Sequence, residues 1–430
     1  MNDHETIAAC ATPPGRGGVA VIRISGAGAF DVAARLTGRS FSSADAGRFF
    51  RARFYAPAEA DGTRTCVDDG LVLIFAAPHS YTGENVVECQ CHGGTVAPRR
   101  VLEAALAAGA RLARRGEFTQ RAFLNGRLAL DAAEAVIDLI DAKTDRAADE
   151  ARARLDGAAA QRFTRLYEAA LALSSRLEYT LDVHEDELPS TFIPDFQTDL
   201  DALRAQIQAA CTAARTGRLL QTGALVVLAG APNAGKSSLL NALAGTARAI
   251  VSDVAGTTRD TIEEWIDIHG WPVRLVDTAG LRETSDPIEA EGVSRATARL
   301  KEADLVLALD CDLPRALRLH AKCDLGPGEG LPVSAVTGEG LDQLRQILAD
   351  RLAQLAAQRD ETDGADIGTR QCACLRTADA ALARAAAACP DSVLMANELR
   401  AASDILGRMI GRLYSEDLLD TLFSRFCVGK

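Results

Sequence analysis

Gly230, Gly235, Lys236 and Ser237 fall at the spacing Gly-x-x-x-x-Gly-Lys-Ser, directly after the apolar run Leu225–Ala229. That spacing makes a phosphate cradle. Its glycines let backbone N–H groups turn inward onto phosphate oxygens, the lysine reaches the β- and γ-phosphates, and the serine hydroxyl ligates Mg²⁺. Asn233, Ala234 and Ser238 belong to the same loop and its helix start. Further on, Gly256–Asp260 reads GTTRD and offers Thr258 as an Mg²⁺ ligand on a switch loop. The strand-like VRLVDTAG ends in Asp277, Thr278, Ala279 and Gly280. Asp277 would sit in the Mg²⁺ shell, and the Gly280 N–H would sense the γ-phosphate. Lys322-Cys323-Asp324 supplies a carboxylate for N1 and the exocyclic amine of guanine. Ser334 and Ala335 supply a backbone contact for the guanine carbonyl. In this order after a phosphate loop, the pieces predict a GTPase rather than an ATPase.

Several positions depart from that pattern. Leu281 follows the DTAG stretch, where many GTPases carry a glutamine that orients the attacking water. No arginine is placed as a finger, yet hydrolysis still needs positive charge at the developing anion. Ala321 stands where the guanine motif usually starts with asparagine, which predicts weaker nucleotide binding, by about 1–3 kcal/mol for one buried hydrogen bond. Specificity should survive through Asp324. Finally, ADLVLALD and ALRLHAKCD both read as strands, with only Cys311–Arg315 between them. Parallel neighbours normally need a crossover of a dozen residues or more, usually with a helix, and no such helix fits here.

A second chemical feature is the ending Cys427-Val428-Gly429-Lys430, which puts a thiol and an ammonium close together. The preceding stretch ASDILGRMIGRLYSEDLLDTLFSRF is amphipathic at helical spacing, so the tail leaves a packed helix rather than a loop.

The elements that must position these groups show three textures. Residues 1–120 mix short apolar runs (VAVIRISG, GLVLIFAAP, NVVECQC) with turns and the helical RRVLEAALAAGARLA, which predicts a small α+β domain. Residues 121–218 read as long helices broken near Asp156-Gly157, with Pro189 and Pro194 in a loop and a last helix ending at Gly217. Residues 219–355 alternate strands and helices, the pattern of a parallel α/β sheet. The helical texture returns over 356–430. The expected fold is therefore multidomain α/β: an N-terminal α+β domain, a discontinuous all-α domain, and an inserted Ras-like P-loop domain.

Bulk properties fit two to three soluble domains in 430 residues, with 48% hydrophobic and 25% charged residues. Net charge is −12, which argues against bulk binding to a phosphate backbone. RLARRG (Arg111–Gly116) is a local basic stretch, read as a solvated helix end. No secretory signal or membrane span is visible, so the expected location is the cytoplasm, and the eleven cysteines then read as reduced thiols.

ATPPGRGGVAVIRISG (Ala11–Gly26), HSYTGENVVECQCHGG (His79–Gly94), RRGEFTQRAFLNGRLALDAAEAVIDLIDA (Arg114–Ala142), the GTPase motifs and CVGK together resemble the tRNA modification GTPase MnmE (TrmE) family. The resemblance covers nearly the whole chain. It implies an N-terminal domain similar to folate-binding one-carbon enzymes, which dimerises and binds formyl- or methylene-tetrahydrofolate through Arg23, Glu88, Arg127 and Lys430. Arg127 replaces the family's usual lysine. It implies a K⁺-activated GTPase, with Asn233, Ser252, Val254 and Thr257 as K⁺ ligands supplying the charge an arginine would bring. Glu289 would orient water through a second water. Cys427 matches a cysteine needed for tRNA modification. An FAD-containing partner, MnmG (GidA), would join a homodimer to form a carboxymethylaminomethyl group at C5 of the wobble uridine in certain tRNAs. Two other readings stay open: a GTP-dependent switch for RNA or ribosome assembly without folate chemistry, and a one-carbon transferase regulated by GTP.

Overall fold

Alternation along two strands decides the architecture of the N-terminal unit. The computed structural model describes residues 5–58, 60–181, 189–246, 263–277, 299–300, 302–358, 367–412 and 414–430. Contacts divide the chain into two compact units, Met1–Ile137 with Ile410–Lys430, and Asp138–Met409. In the first, β1 (Ile7–Cys10) pairs with β2 (Val19–Ser25), and β3 (Phe49–Tyr55), β4 (Cys66–Phe75) and β5 (Val86–His92) follow. Side chains point alternately to the two faces of a strand. Ala20, Ile22 and Ile24 of β2 therefore share a face with Val87, Cys89 and Cys91 of β5, packed against helices α1 (Ala29–Thr37) and α2 (Val96–Ala107). Arg23 points to the other face, directly across from Glu88.

A short strand β6 (Arg111–Leu112) runs parallel to β1, giving the order β3-β4-β5-β2-β1-β6. This corrects the reading of RLARRG. Helix α2 stops at Ala107, and Arg111 lies on a strand, where its guanidinium bonds Glu5 and Glu117 at 2.6 Å each. Helix α3 (Glu117–Leu124) then packs on the face opposite α1 and α2, where Phe118 is buried with Ile7, Ala9 and Ala113. Burying Phe118 contributes roughly 1.5–3 kcal/mol. Helix α4 (Leu130–Asp141) follows.

In the second unit, α5 (Asp145–Leu155) and α6 (Ala158–Leu181) break at Asp156-Gly157, where Gly157 takes φ +88°. Helix α7 spans Phe192–Thr222. Two expectations fail here. Pro194 lies in the first turn of α7, where its missing N–H would have no intrahelical partner anyway. Gly217 does not end the helix; it is a buried interior position, and Gly223 is the C-cap.

Strand β7 (Ala224–Gly230) is buried on both faces, as a central parallel strand must be, which explains its unbroken apolar run. It leads through the phosphate loop into α8 (Lys236–Thr246). With β8 (Glu263–Ile268), β9 (Trp271–Asp277), β10 (Leu305–Leu309), β11 (Leu317–Ala321) and β12 (Leu331–Val333) it forms a sheet of order β12-β11-β10-β7-β9-β8. Only the β8/β9 pair is antiparallel among the described strands of this sheet. Strands β10 and β11 do pair in parallel, and residues 310–316 connect them without a helix. The pairing is short, Leu307↔Leu317 to Leu309↔Leu319, so the chain climbs back only two residues. Asp310 and Arg315 make the turns with positive φ. Helix α9 (Leu341–Gln358) covers the sheet.

Helices α10 (Ile367–Ala388) and α11 (Ser392–Met409) then pack against α7 and α6. The helical layer is thus discontinuous, interrupted by the parallel sheet. A final helix α12 (Glu416–Phe423) belongs to the first unit and packs on α3. No helix among the described residues is long and apolar enough to cross a membrane.

Candidate nucleotide site and tail site

The phosphate loop begins where β7 passes closest to β10. Gly230 has φ +155°, and a Cβ there would lie 2.8 Å from the Leu309 carbonyl, so a side chain would force the strands apart. Asn233 turns the loop with φ +65°. Lys236, 5% exposed, donates from Nζ to the Gly230 and Ala231 carbonyls at 2.8 and 2.9 Å. The ammonium therefore lies over the loop's own backbone, where an anion would compete for it. Ser237 Oγ donates to Asp277 Oδ2 at 2.6 Å. Asp277, 1% exposed, comes from the end of β9, so adjacent parallel strands bring a hydroxyl and a carboxylate together. Two hard oxygen ligands at one point suit Mg²⁺.

The residues expected to meet guanine lie at the ends of β11 and β12. Ala321 pairs with Val333, and Lys322 follows with φ +56°. Lys322 Nζ donates to the Asn233 carbonyl at 2.9 Å, tying this loop to the phosphate loop. The tie that asparagine would make by side chain is thus partly met by the lysine. Asp324 is exposed on a short 3₁₀ turn, Cys323–Leu325. Ser334 is buried, and its Oγ accepts from the N–H groups of Val336 and Thr337, which fixes the turn carrying Ala335. The structure brings Asn233, Ala234, Gly235, Lys236, Ser237, Ser238, Asp277, Lys322, Asp324, Ser334 and Ala335 to the same edge of one sheet, at the C-terminal ends of its parallel strands. Ser252, Val254, Thr257, Thr258, Thr278, Ala279, Gly280 and Glu289 lie outside the described residues.

The tail site is assembled from distant parts of the chain. Arg23 Nε donates to Glu88 Oε1 at 2.9 Å, with 13% and 18% of the two side chains exposed. Arg23 Nη1 donates to the Gly429 carbonyl at 3.3 Å. Its guanidinium lies 5.2 Å from the Tyr81 ring centroid and 5.6 Å from that of Phe118, within cation–π range of both. The tail is held by backbone. Gly116 N–H donates to the Cys427 carbonyl, Phe118 N–H donates to Lys430 O, and Arg115 pairs with Val428. Arg115 Nε also donates to the Phe426 carbonyl at 2.9 Å. Gly429 has φ +106°, and a Cβ there would lie 2.4 Å from the Cys10 carbonyl. Only glycine lets the tail lie this close to β1.

Lys430 is half-buried. Burial pushes its ammonium below the usual lysine range, Arg23 pushes the same way, and Glu88 opposes. Burial likewise raises the Tyr81 phenol, against a hydrogen bond with Thr119 and the Arg23 charge. Cys427 is exposed. Arg127 is exposed, and its Nε donates to the carbonyl of Ser80, the neighbour of Tyr81, at 3.1 Å.

Sequence reasoning missed the supports of this site. Tyr81, Arg115, Gly116 and Phe118 frame it; the last three lie in RRGEF, whose glycine takes φ +67° as the N-cap of α3. Behind them, Glu117 is 2% exposed. Burial works to raise its pKa, but hydrogen bonds from Arg111 and the Arg114 N–H, with the charges of Arg111 and Arg121, hold it at about 2. Arg121 bridges on to Glu84, whose Oε2 also accepts from Ser25 Oγ.

Two family models match the chain: the N-terminus of the GTP-binding protein TrmE over residues 6–127, and the MnmE helical domain over residues 130–427. The chain belongs to the tRNA modification GTPase MnmE family. It is 42% identical to the tRNA modification GTPase MnmE of Symbiobacterium thermophilum, over 99% of this chain and 100% of that one. It is 43% identical to the protein of that name from Azoarcus sp., over 99% and 98%. It is 42% identical to one from Neisseria meningitidis serogroup C, over the full length of both. Membership makes the chain a GTP hydrolase, in agreement with the order of nucleotide motifs along its parallel sheet.

Proposed function

We propose that this protein is a dimeric, K⁺-activated cytoplasmic GTP hydrolase acting in tRNA modification. With an FAD-containing partner, MnmG, it forms the carboxymethylaminomethyl group at C5 of the wobble uridine in certain tRNAs. The observation that carries the reading is the Arg23–Glu88–Gly429 cluster with half-buried Lys430 beside it. A carboxylate facing cations under two aromatic rings suits a reduced folate. The Glu88 carboxylate would accept from the aminopyrimidine edge, and Arg23 and Lys430 would meet the glutamate tail. Bound there, a formyl- or methylene-tetrahydrofolate would supply the one-carbon unit. Arg127 would contact the ligand from the Ser80 side. Cys427, exposed beside this cluster, would serve tRNA modification and not GTP hydrolysis.

On the nucleotide side, Lys236 would neutralise charge on the β- and γ-phosphates, and Asp324 would select guanine. Ser237 and Thr258 would hold Mg²⁺, with Asp277 in its shell. The Ser237–Asp277 oxygens support this assignment. Asn233, Ser252, Val254 and Thr257 would hold K⁺, which would supply the positive charge of an arginine finger; the left-handed Asn233 at the loop tip supports its place in that set. Glu289 would orient water.

The test is complementation of a strain that lacks wobble-uridine modification, read by mass spectrometry of tRNA nucleosides. The wild-type chain restores the modification; Arg23→Ala and Cys427→Ser do not, while both keep GTP turnover. Purified protein hydrolyses GTP faster in K⁺ than in Na⁺. Equal rates in the two salts would remove the cation assignment, and failure of the wild-type chain to restore modification would remove the reading itself.

A further inference from the structure

Two buried thiols meet in the helical layer, and the nucleotide site does not use them. Cys211 lies in α7 and Cys372 in α10; they are 6% and 0% exposed. The two helices pack antiparallel, and an ion pair sets their register: Arg204 Nε donates to Asp379 Oδ1 at 3.1 Å, and Gln208 Nε2 donates to Asp379 Oδ2 at 3.1 Å. Going seven residues forward from Arg204 and seven back from Asp379 reaches Cys211 and Cys372. Two turns on each helix thus bring the cysteines face to face, and their thiols share a hydrogen bond. Packed helix axes lie about 8–10 Å apart and Cα atoms sit about 2.3 Å from each axis. Directly facing Cα atoms therefore lie about 3.4–5.4 Å apart, which overlaps the roughly 4.4–6.8 Å that a disulfide spans.

The surroundings favour a reactive pair over two inert apolar side chains. Arg215 lies one turn beyond Cys211 and Arg376 one turn beyond Cys372, so a guanidinium follows each thiol on its own helix face. The hydrogen bond from Cys372, then the charges of Arg215 and Arg376, lower the Cys211 thiol against the cost of burial. Cys372 is pushed up by its bond to Cys211 and by burial. Cys211 keeps a small exposed edge and Cys372 has none, so a peroxide meets Cys211 first and Cys372 is the thiol that resolves.

The place of the pair in the fold gives it a role. Helix α7 runs on to Thr222 and passes through Gly223 into β7 and the phosphate loop. Helix α10 is the first helix after the nucleotide-binding segment. The chain enters and leaves that segment through these two helices.

We infer that Cys211 and Cys372 form a hydroperoxide-sensitive dithiol whose oxidation staples α7 to α10 and slows GTP turnover. The Cys211 thiolate attacks the peroxide O–O bond, giving a sulfenic acid and releasing hydroxide or alkoxide, which takes up the thiol proton. The Cys372 thiol then attacks the Cys211 sulfur, an S–S bond forms and water leaves. Two thiols lose two electrons in all, and the peroxide is reduced to water and alcohol, or to two waters. A peroxide molecule is close to water in size, so the small exposed edge of Cys211 suffices for access.

The experiment treats the full chain with hydrogen peroxide, alkylates remaining thiols, and maps peptides without reduction. The linked peptide of Cys211 and Cys372 is expected as the main intramolecular product. GTP turnover should fall at least threefold and return on adding dithiothreitol. Cys211→Ser and Cys372→Ser should each remove both the link and the loss of turnover, with circular dichroism checking that they fold. Recovery of both cysteines as alkylated thiols from folded, peroxide-treated protein would overturn the assignment. A link that leaves turnover unchanged would overturn the staple.

Discussion

The nucleotide site and the tail site are built on opposite principles. Residues 230–238 form one continuous loop and helix start, so their spacing is their geometry. Arg23, Glu88 and Gly429 meet only because β2 and β5 pair in one register and the tail crosses to β1. A one-residue slip of β5 would turn Glu88 to the opposite face and bury it among Ile22, Ile24 and the helices. A local motif survives if its loop survives; a site made by register depends on the whole unit.

The first way to sharpen this contrast is to break the local motif. Lys236→Ala should lower GTP turnover by roughly 100- to 1,000-fold, since it removes a preorganised charge from the phosphates. The reactivity of Cys427 toward a maleimide should not change, because the tail and that loop belong to different compact units. A parallel change in Cys427 reactivity would show that the two sites are not separable.

The second way is to break the register-built site without touching a charge. Gly429→Ala puts a Cβ 2.4 Å from the Cys10 carbonyl at φ +106°. Left-handed backbone alone costs about 1–2 kcal/mol for a non-glycine residue. On the proposed function, tRNA modification should fall by about tenfold or more, with GTP turnover within twofold of wild type. Full modification by this variant would mean that the tail's seat against β1 is dispensable.

The smallest effect concerns the support beneath the tail. Glu117 is held at about 2, against an ordinary value of 4.5. Its folded pKa is depressed, so it stabilises above pH 4.5, and that stabilisation is lost as pH falls toward 2. The linkage amounts to on the order of 3 kcal/mol at neutral pH. Glu117→Gln should lower the denaturation midpoint at pH 7, and the gap to wild type should narrow steadily from pH 5 to pH 2. A gap independent of pH would assign the loss to packing instead.

The strands in VAVIRISG, GLVLIFAAP and NVVECQC are legible because short apolar runs bounded by turn residues have few other uses. So was the missing helix between β10 and β11, since residues 310–316 are too few to hold one. Pro194 and Gly217 misled, because each is a breaker only in some positions. Pro194 sits in the first turn of α7, and Gly217 packs in a buried helix interior that tertiary contacts sustain. RLARRG misled because its arginines serve Glu117 and Glu5, which lie six residues ahead and more than a hundred behind Arg111.

By itself, the sequence determined what contiguous residues can determine: the phosphate loop, the Lys322-Cys323-Asp324 turn, the alternation of strands, and the amphipathic lead-in to the tail. Each depends on spacing along a chain whose local geometry is nearly fixed. Tertiary structure alone decided that Arg23 faces Glu88 near the Tyr81 and Phe118 rings, that the tail meets the end of β1 at Cys10, and that Cys211 meets Cys372. Those meetings depend on strand register and helix packing, which are settled by burial summed over a whole unit and leave no signature at any one position.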